Sequence, residues 1–126
     1  EKAAETLSGM LDACESYSSI TRNPMGIKFI EAAIRYNNRD AKTANLIWKT
    51  EIANLMALTD KDFENWTQAD KDALRIGLIL SSQALMKRDA STVNVRPICK
   101  KAEKWFEYDK DWIAFYEKKN NSFSEQ

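Results

Sequence analysis

Apolar residues recur at helical spacing along almost the whole of this 126-residue chain. The sequence contains only three glycines and two prolines, and no alternation typical of a strand lasts more than a few residues. We therefore expect an all-α fold: a single-domain bundle of about five or six helices over residues 1–119, followed by a flexible polar tail over residues 120–126.

Local signals place the first two helices. The first is predicted over residues 3–19, where the apolar positions form one stripe. Asn23 is the expected cap of the second helix, with Pro24 in its first position, where the missing N–H costs nothing. That helix is expected to stop at residues 37–38.

Similar signals mark the next three helices. Asp40 is the expected cap of the third helix, and Thr59 that of a short fourth one. The fifth helix is expected to start at Asp70 or at Thr67 before it, and its apolar residues cover more than one face. A helix of this kind is usually surrounded by others, so we place it at the centre of the bundle, with Leu78 in the core.

The cysteine and histidine content limits the possible chemistry. Cys14 and Cys99 are the only cysteines, and there is no histidine. Ser-His and Cys-His nucleophiles, an imidazole base and an ordinary zinc site are therefore excluded. We expect a Cys14–Cys99 disulfide that joins the first and last long helices. Two small buried thiols in a cytosolic protein are the alternative.

Charge is balanced overall, with 19 basic and 19 acidic residues, so no global field favours nucleic acid as a partner. Acidic residues dominate positions 60–72 and basic ones dominate positions 87–104. Solvated helix ends explain most such blocks, and a charged docking patch is the alternative. The acidic block does not match a calcium loop, because Asn65 replaces the required glycine and Lys71 the required glutamate. The sequence indicates no metal and no cofactor.

The segment after Pro97 is the most aromatic part of the chain. We expect Pro97 to open a long final helix. Helical spacing places Ile98 on one line of this helix with three aromatic residues, Trp105, Trp112 and Tyr116. The apolar arc would then span roughly 180°, which is wider than a surface helix normally buries. Asp109 lies within this arc, so either a cation meets it or the helix bends there. This segment contains six aromatic side chains, which are Trp105, Phe106, Tyr108, Trp112, Phe115 and Tyr116.

Two interpretations of this segment stay open. The rings are either buried in a helix wedged between others, or some of them anchor a protein partner. In the second case, lysines at the rim would steer a partner with an acidic surface. The candidate partner-binding residues are Tyr108, Trp112, Phe115, Tyr116, Lys101 and Lys104.

The leading functional hypothesis is a non-enzymatic protein-binding domain. The alternative is a helical carrier that holds a small apolar ligand in an aromatic-lined pocket. An enzyme with two catalytic carboxylates is the third hypothesis. Such a pair is recognised by its separation in space, and the sequence singles out no pair. In size and composition the chain is similar to periplasmic all-helical bundles such as immunity proteins of secretion systems, inhibitors and secretin pilotins, although no motif carries this analogy.

The same analogy bears on location. The sequence begins with Glu1 and not methionine, which favours a cleaved leader and a periplasmic or secreted protein, with the cytoplasm as the alternative. The longest apolar stretch is interrupted by polar residues, so we expect no transmembrane segment.

Overall fold

The computed structural model describes residues 2–86 and 96–106, and every regular element in these two ranges is an α-helix. The predicted all-α fold is confirmed, with six helices in the described part of the chain. In chain order they are α1 (Lys2–Ile20), α2 (Met25–Asn37), α3 (Ala41–Ala57), α4 (Asp60–Glu64), α5 (Gln68–Met86) and α6 (Arg96–Ala102).

Three helices begin at a side-chain cap. In each case the side-chain oxygen accepts a hydrogen bond from the backbone N–H three residues later, at 3.2 Å for Asp40, 3.1 Å for Thr59 and 3.2 Å for Thr67. Such a bond satisfies one of the backbone donors that a helix start leaves without a partner. The predicted caps Asp40 and Thr59 are confirmed, and Thr67 is the one of the two predicted alternatives that caps α5.

Asn23 does not cap α2, contrary to the prediction. Pro24 occupies the cap position without a side-chain hydrogen bond, and its carbonyl oxygen accepts from the Lys28 N–H at 2.9 Å. The Asn23 side chain instead faces α5, where its Nδ2 lies 3.5 Å from Asp70 Oδ2. A contact distant in sequence has replaced the local one.

The core lies where α2, α3 and α5 meet. α2 packs against α5, α3 and α1, and α6 packs against α3. Phe29 of α2, Trp48 and Leu55 of α3, and Leu74 and Leu78 of α5 are all at most 1% exposed. The predicted central position of Leu78 is confirmed.

A buried hydrogen-bond chain joins these three helices. Trp48 Nε1 donates to Ser81 Oγ at 2.9 Å, and the Ser81 hydroxyl donates to the Phe29 carbonyl oxygen at 2.8 Å. Because buried polar groups need partners, this chain fixes how the three helices align. The bonds lie on the side of the α2–α5 pair that faces the core.

α2 and α5 cross at two glycines. A Cβ atom on Gly77 would meet the Gly26 carbonyl oxygen and would lie 2.8 Å from Phe29 Cβ. A Cβ atom on Gly26 would lie 2.5 Å from the Ala73 carbonyl carbon. The two backbones approach this closely because neither residue has a side chain.

The helix that carries Pro97 is shorter than predicted. α6 ends at Ala102, and the Trp105 N–H then donates to the Ala102 carbonyl oxygen at 3.0 Å in a turn. Trp105 therefore does not continue the helical line of Ile98, and the prediction of one unbroken helix from Pro97 is wrong. The Trp105 ring instead stacks on Phe63, a tertiary contact that helical periodicity does not reveal.

The predicted disulfide is not supported. The Cys14 thiol is free and buried, and the charged groups around it are Lys28, Glu31 and Arg35 of α2. The helix that carries Cys99 packs against α3. The side chain of Cys99 itself lies outside the described residues.

Candidate functional site

The structure describes two of the six predicted partner-binding residues, Lys101 and Lys104. The other four lie outside the described ranges: Tyr108, Trp112, Phe115 and Tyr116. For those four, partner binding stays a prediction.

Both lysines contact other helices: Lys101 contacts α3 and Lys104 contacts α4. Lys104 Nζ lies 2.6 Å from Asp60 Oδ2, and Lys101 Nζ donates to the Met56 carbonyl oxygen at 3.3 Å. Trp105 Nε1 donates to the other oxygen of Asp60 at 2.8 Å. Hydrogen bonds from Lys104 and Trp105 hold the pKa of Asp60 below its ordinary value. Part of the basic block thus pairs with part of the acidic block inside the molecule.

The first two rings of the aromatic segment belong to the fold. Trp105 stacks on Phe63 with ring centroids 4.3 Å apart and planes 8° from parallel, and Phe106 meets Phe63 edge-on at 5.8 Å. Trp66 contacts the same ring at 5.5 Å. This cluster fastens the segment after α6 to α4, and it explains why an aromatic residue follows the end of the helix.

A first surface cleft of about 650 Å³ lies between α1 and α2. It brings together the carboxylates of Asp12, Glu15 and Glu31, which sequence spacing did not associate. Glu31 pairs with Arg35 at 3.2 Å and with Lys28 at 3.8 Å. The cleft is therefore a groove of mixed charge in which one of the three acids is already neutralised.

A second cleft, of about 420 Å³, lies where the end of α1, the α1–α2 connection and the start of α5 meet. Asp70 lines it and is 3% exposed. Its Oδ1 accepts from the Tyr17 hydroxyl at 2.8 Å and from the Thr21 hydroxyl at 2.5 Å, and its Oδ2 lies 3.5 Å from Asn23 Nδ2. We call this the Asp70 cleft.

These contacts keep Asp70 ionised. Burial raises the pKa of the carboxyl group, but the hydrogen bonds from Thr21, Tyr17 and Asn23 outweigh burial and bring the pKa below its ordinary value. The same bonds tie the α1–α2 connection to α5. Asp70 was expected to start a helix and to belong to the acidic block, and nothing local indicates its partners about 50 positions earlier.

The side of α5 that faces away from the core carries exposed apolar residues, contrary to prediction. Ile76 and Leu80, one helical turn apart, are 40% and 37% exposed. We expected α5 to be surrounded, but the other described residues leave these two side chains partly open to solvent. Their exposure stands out because the opposite side of the same helix is fully buried.

The neighbouring helix extends this apolar surface. Ile27, Ile30 and Ile34 of α2 are partly buried, yet among the described residues they belong neither to the core nor to the side chains packed against it. Helical spacing puts them on the side of the crossing away from Phe29, and Ile30 adjoins Gly77, whose added Cβ would lie 3.3 Å from the Ile30 nitrogen. We define the apolar face as Ile27, Ile30, Ile34, Ile76 and Leu80.

Comparison of the chain with models of protein families, with curated proteins and with solved structures found no match. Within residues 2–86 and 96–106, no helix is long and apolar enough to cross a bilayer. No group of three or more acidic or cysteine side chains there could hold a metal ion. The functional inference therefore rests on the surfaces described above.

Proposed function

We propose that this protein is a non-enzymatic, all-helical protein-binding domain that contacts its partner through the apolar face. The observation that carries the proposal is the exposure of Ile76 and Leu80 beside the three isoleucines of α2. Single exposed apolar residues are ordinary, but a contiguous aliphatic patch across two helices is typical of an interaction site.

The shape of the face indicates the kind of partner. Its residues recur at intervals of three or four along both helices, so they form two short ridges beside the crossing. An apolar stripe with the same spacing, as on an amphipathic helix, would fit between these ridges. The partner is thus a protein segment with an aliphatic surface, and charge plays a secondary part.

Neither of the two clefts described above is the apolar cavity of a carrier, and four of the six aromatic residues expected to line such a cavity lie outside the described residues. A carrier needs a cavity that reaches apolar side chains. Both clefts open at the surface, and no residue of the apolar core lines either of them. Lys101 and Lys104 remain candidates for the rim of an interface, although contacts with Asp60 and Met56 already engage them.

The biological setting is part of the same proposal. The similarity in size and composition to periplasmic immunity proteins, inhibitors and pilotins supports a periplasmic or secreted location. Fractionation of the native host's cells, with antibody detection, tests it. Recovery in the cytoplasmic fraction alone would contradict this location without affecting the binding surface.

The binding proposal is tested by site-specific photo-crosslinking in those cells. A photoreactive residue replaces Ile76 in one variant and Lys49, exposed on α3, in a control. We expect a protein to be captured at position 76 and not at position 49. The purified captured protein should then bind the purified domain in a calorimetric titration.

The titration is repeated with charge variants. Ile76→Lys should weaken binding about tenfold or more, because a charge would be buried in an apolar contact, whereas Lys49→Glu should not change it. Unchanged affinity of Ile76→Lys would contradict the proposal. Cross-links solely between copies of this chain, with a dimer in sedimentation, would also contradict it.

A further inference from the structure

The two oxygens of Asp70 are used unequally. Oδ1 accepts two hydrogen bonds, from the Tyr17 and Thr21 hydroxyls at 2.8 and 2.5 Å. Within the described part of the chain, Oδ2 has only the Asn23 amide, at 3.5 Å. A carboxylate oxygen can accept two good hydrogen bonds, so Oδ2 retains acceptor capacity.

Among the described residues, Asp70 also has no counter-charge. It is 3% exposed, and no lysine or arginine among the described residues lies within ion-pair distance of it. Arg22 lines the same cleft, but its side chain is exposed and forms no ion pair with Asp70. A carboxylate buried in this way gains most from a cation that reaches its open oxygen.

The cleft that Asp70 lines has room and suitable walls for such a cation. Its volume is about 420 Å³, which is within the usual range of ligand sites. The side chains of Asn65 and Thr67 supply further polar groups. Ile20, which is 81% exposed, and the ring of Tyr17 supply apolar surface at the opening.

We propose that the Asp70 cleft is a binding site for an organic cation, an ammonium or guanidinium group on an alkyl stem. The charged group donates to Asp70 Oδ2, and the stem lies against Ile20 and Tyr17. The cation is either a free small amine or a lysine or arginine side chain of a bound protein. This inference goes beyond the proposed function and does not depend on the apolar face.

The test is an NMR titration of the full ¹⁵N-labelled chain with n-butylammonium chloride, with n-butylguanidinium as the second probe. n-Butanol is the control for the stem, and sodium chloride the control for ionic strength. We expect saturable shifts of backbone amide signals confined to residues that line the cleft. No saturable shift, or equal shifts with n-butanol, would overturn the proposal.

Two variants make the test specific. Asp70→Asn keeps an oxygen for Tyr17 and Thr21 but removes the charge, so the saturable shifts should disappear while the remaining spectrum stays folded. Arg22→Gln removes a competing cation, so the probe should bind more tightly. Binding retained by Asp70→Asn, or weakened by Arg22→Gln, would overturn the proposal. If Asp70→Asn does not fold, Arg22→Gln still decides.

A blocked tripeptide with a central lysine separates the two sources of the cation. Tighter binding of the tripeptide than of n-butylammonium supports a side chain of a bound protein. Equal binding supports a free amine. Either result, combined with loss of binding in Asp70→Asn, supports the cation site itself.

Discussion

Ser81 and Ser82 are neighbours on α5 and are both buried, but only the Ser81 hydroxyl has hydrogen-bond partners among the described residues. Ser81 accepts from Trp48 Nε1 at 2.9 Å and donates to the Phe29 carbonyl oxygen at 2.8 Å. The same side chain at adjacent positions of one helix therefore has opposite consequences for stability.

Ser81→Ala should lower the free energy of unfolding by about 1–3 kcal/mol, because the buried Trp48 Nε1 loses its partner and the Phe29 carbonyl oxygen loses a second hydrogen bond. Ser82→Ala should cost less than about 0.5 kcal/mol or stabilise the fold, since it removes an unsatisfied hydroxyl. Urea unfolding of both variants measures the difference. Equal losses would show that the hydrogen-bond chain does not hold the core.

Gly77→Ala tests the crossing of α2 and α5. Alanine favours a helix over glycine by about 0.5–1 kcal/mol, so propensity alone predicts stabilisation. The new Cβ would meet the Gly26 carbonyl oxygen and lie 2.8 Å from Phe29 Cβ, so we expect a net loss of about 1–3 kcal/mol. Gly9→Ala, at an exposed position of α1 with nothing within 4 Å of the new Cβ, should show the propensity gain. Stabilisation by Gly77→Ala in urea unfolding would contradict the close crossing.

The Asp70 cleft predicts a specific sensitivity to acid. Because the pKa of Asp70 is lower in the folded state, the unfolded chain binds its proton first on acidification. The contribution of Asp70 to stability is present above about pH 4, the ordinary range of an unfolded aspartate, and is lost as the pH falls through the folded-state pKa.

Asp70→Asn should therefore be less stable than the wild type near neutral pH, and its stability should change less between about pH 6 and pH 3. Asp40 and Asp60 also have lowered pKa values, so the variant keeps part of the acid sensitivity. Urea unfolding at a series of pH values provides the comparison. Parallel curves for both proteins would contradict an ionised, hydrogen-bonded Asp70.

Cys14 should be a free thiol that reacts slowly with thiol reagents in the folded protein. Burial, with a smaller effect from Glu31, raises the pKa of the Cys14 thiol, and the thiolate is the form that reacts. In a Cys99→Ser variant, Cys14 should react slowly with a thiol reagent in the folded state and rapidly in urea, without reductant. Rapid labelling of the folded protein would contradict the burial of Cys14.

Sequence reasoning predicted the parts of the fold that depend on neighbouring residues. The caps Asp40, Thr59 and Thr67 act on amides three positions away, so their signal is local. The central position of Leu78 followed from the apolar periodicity of α5, and Leu78 is fully buried.

The features that were not predicted depend on contacts between residues distant in sequence. α6 ends at Ala102, and the turn that follows lets Trp105 stack on Phe63 of α4 and ends the helical line on which the aromatic site was predicted. Ile76 was expected to be covered because periodicity shows which residues are apolar but not which neighbours are present. The arrangement of Asp70 depends on hydroxyls of α1 and the α1–α2 connection, for which the sequence contains no local signal.

The most direct test of the account is the accessibility of position 76 in the isolated protein. Ile76→Cys is made in a Cys14→Ala/Cys99→Ser background and labelled with a thiol reagent, beside Leu46→Cys as an exposed reference, since Leu46 is 61% exposed. We predict that Ile76→Cys labels within about a factor of ten of Leu46→Cys, because an interaction face must be open before its partner arrives. Labelling as slow as that of buried Cys14 in the Cys99→Ser variant would mean that the chain itself covers the apolar face, and would contradict the proposed binding surface.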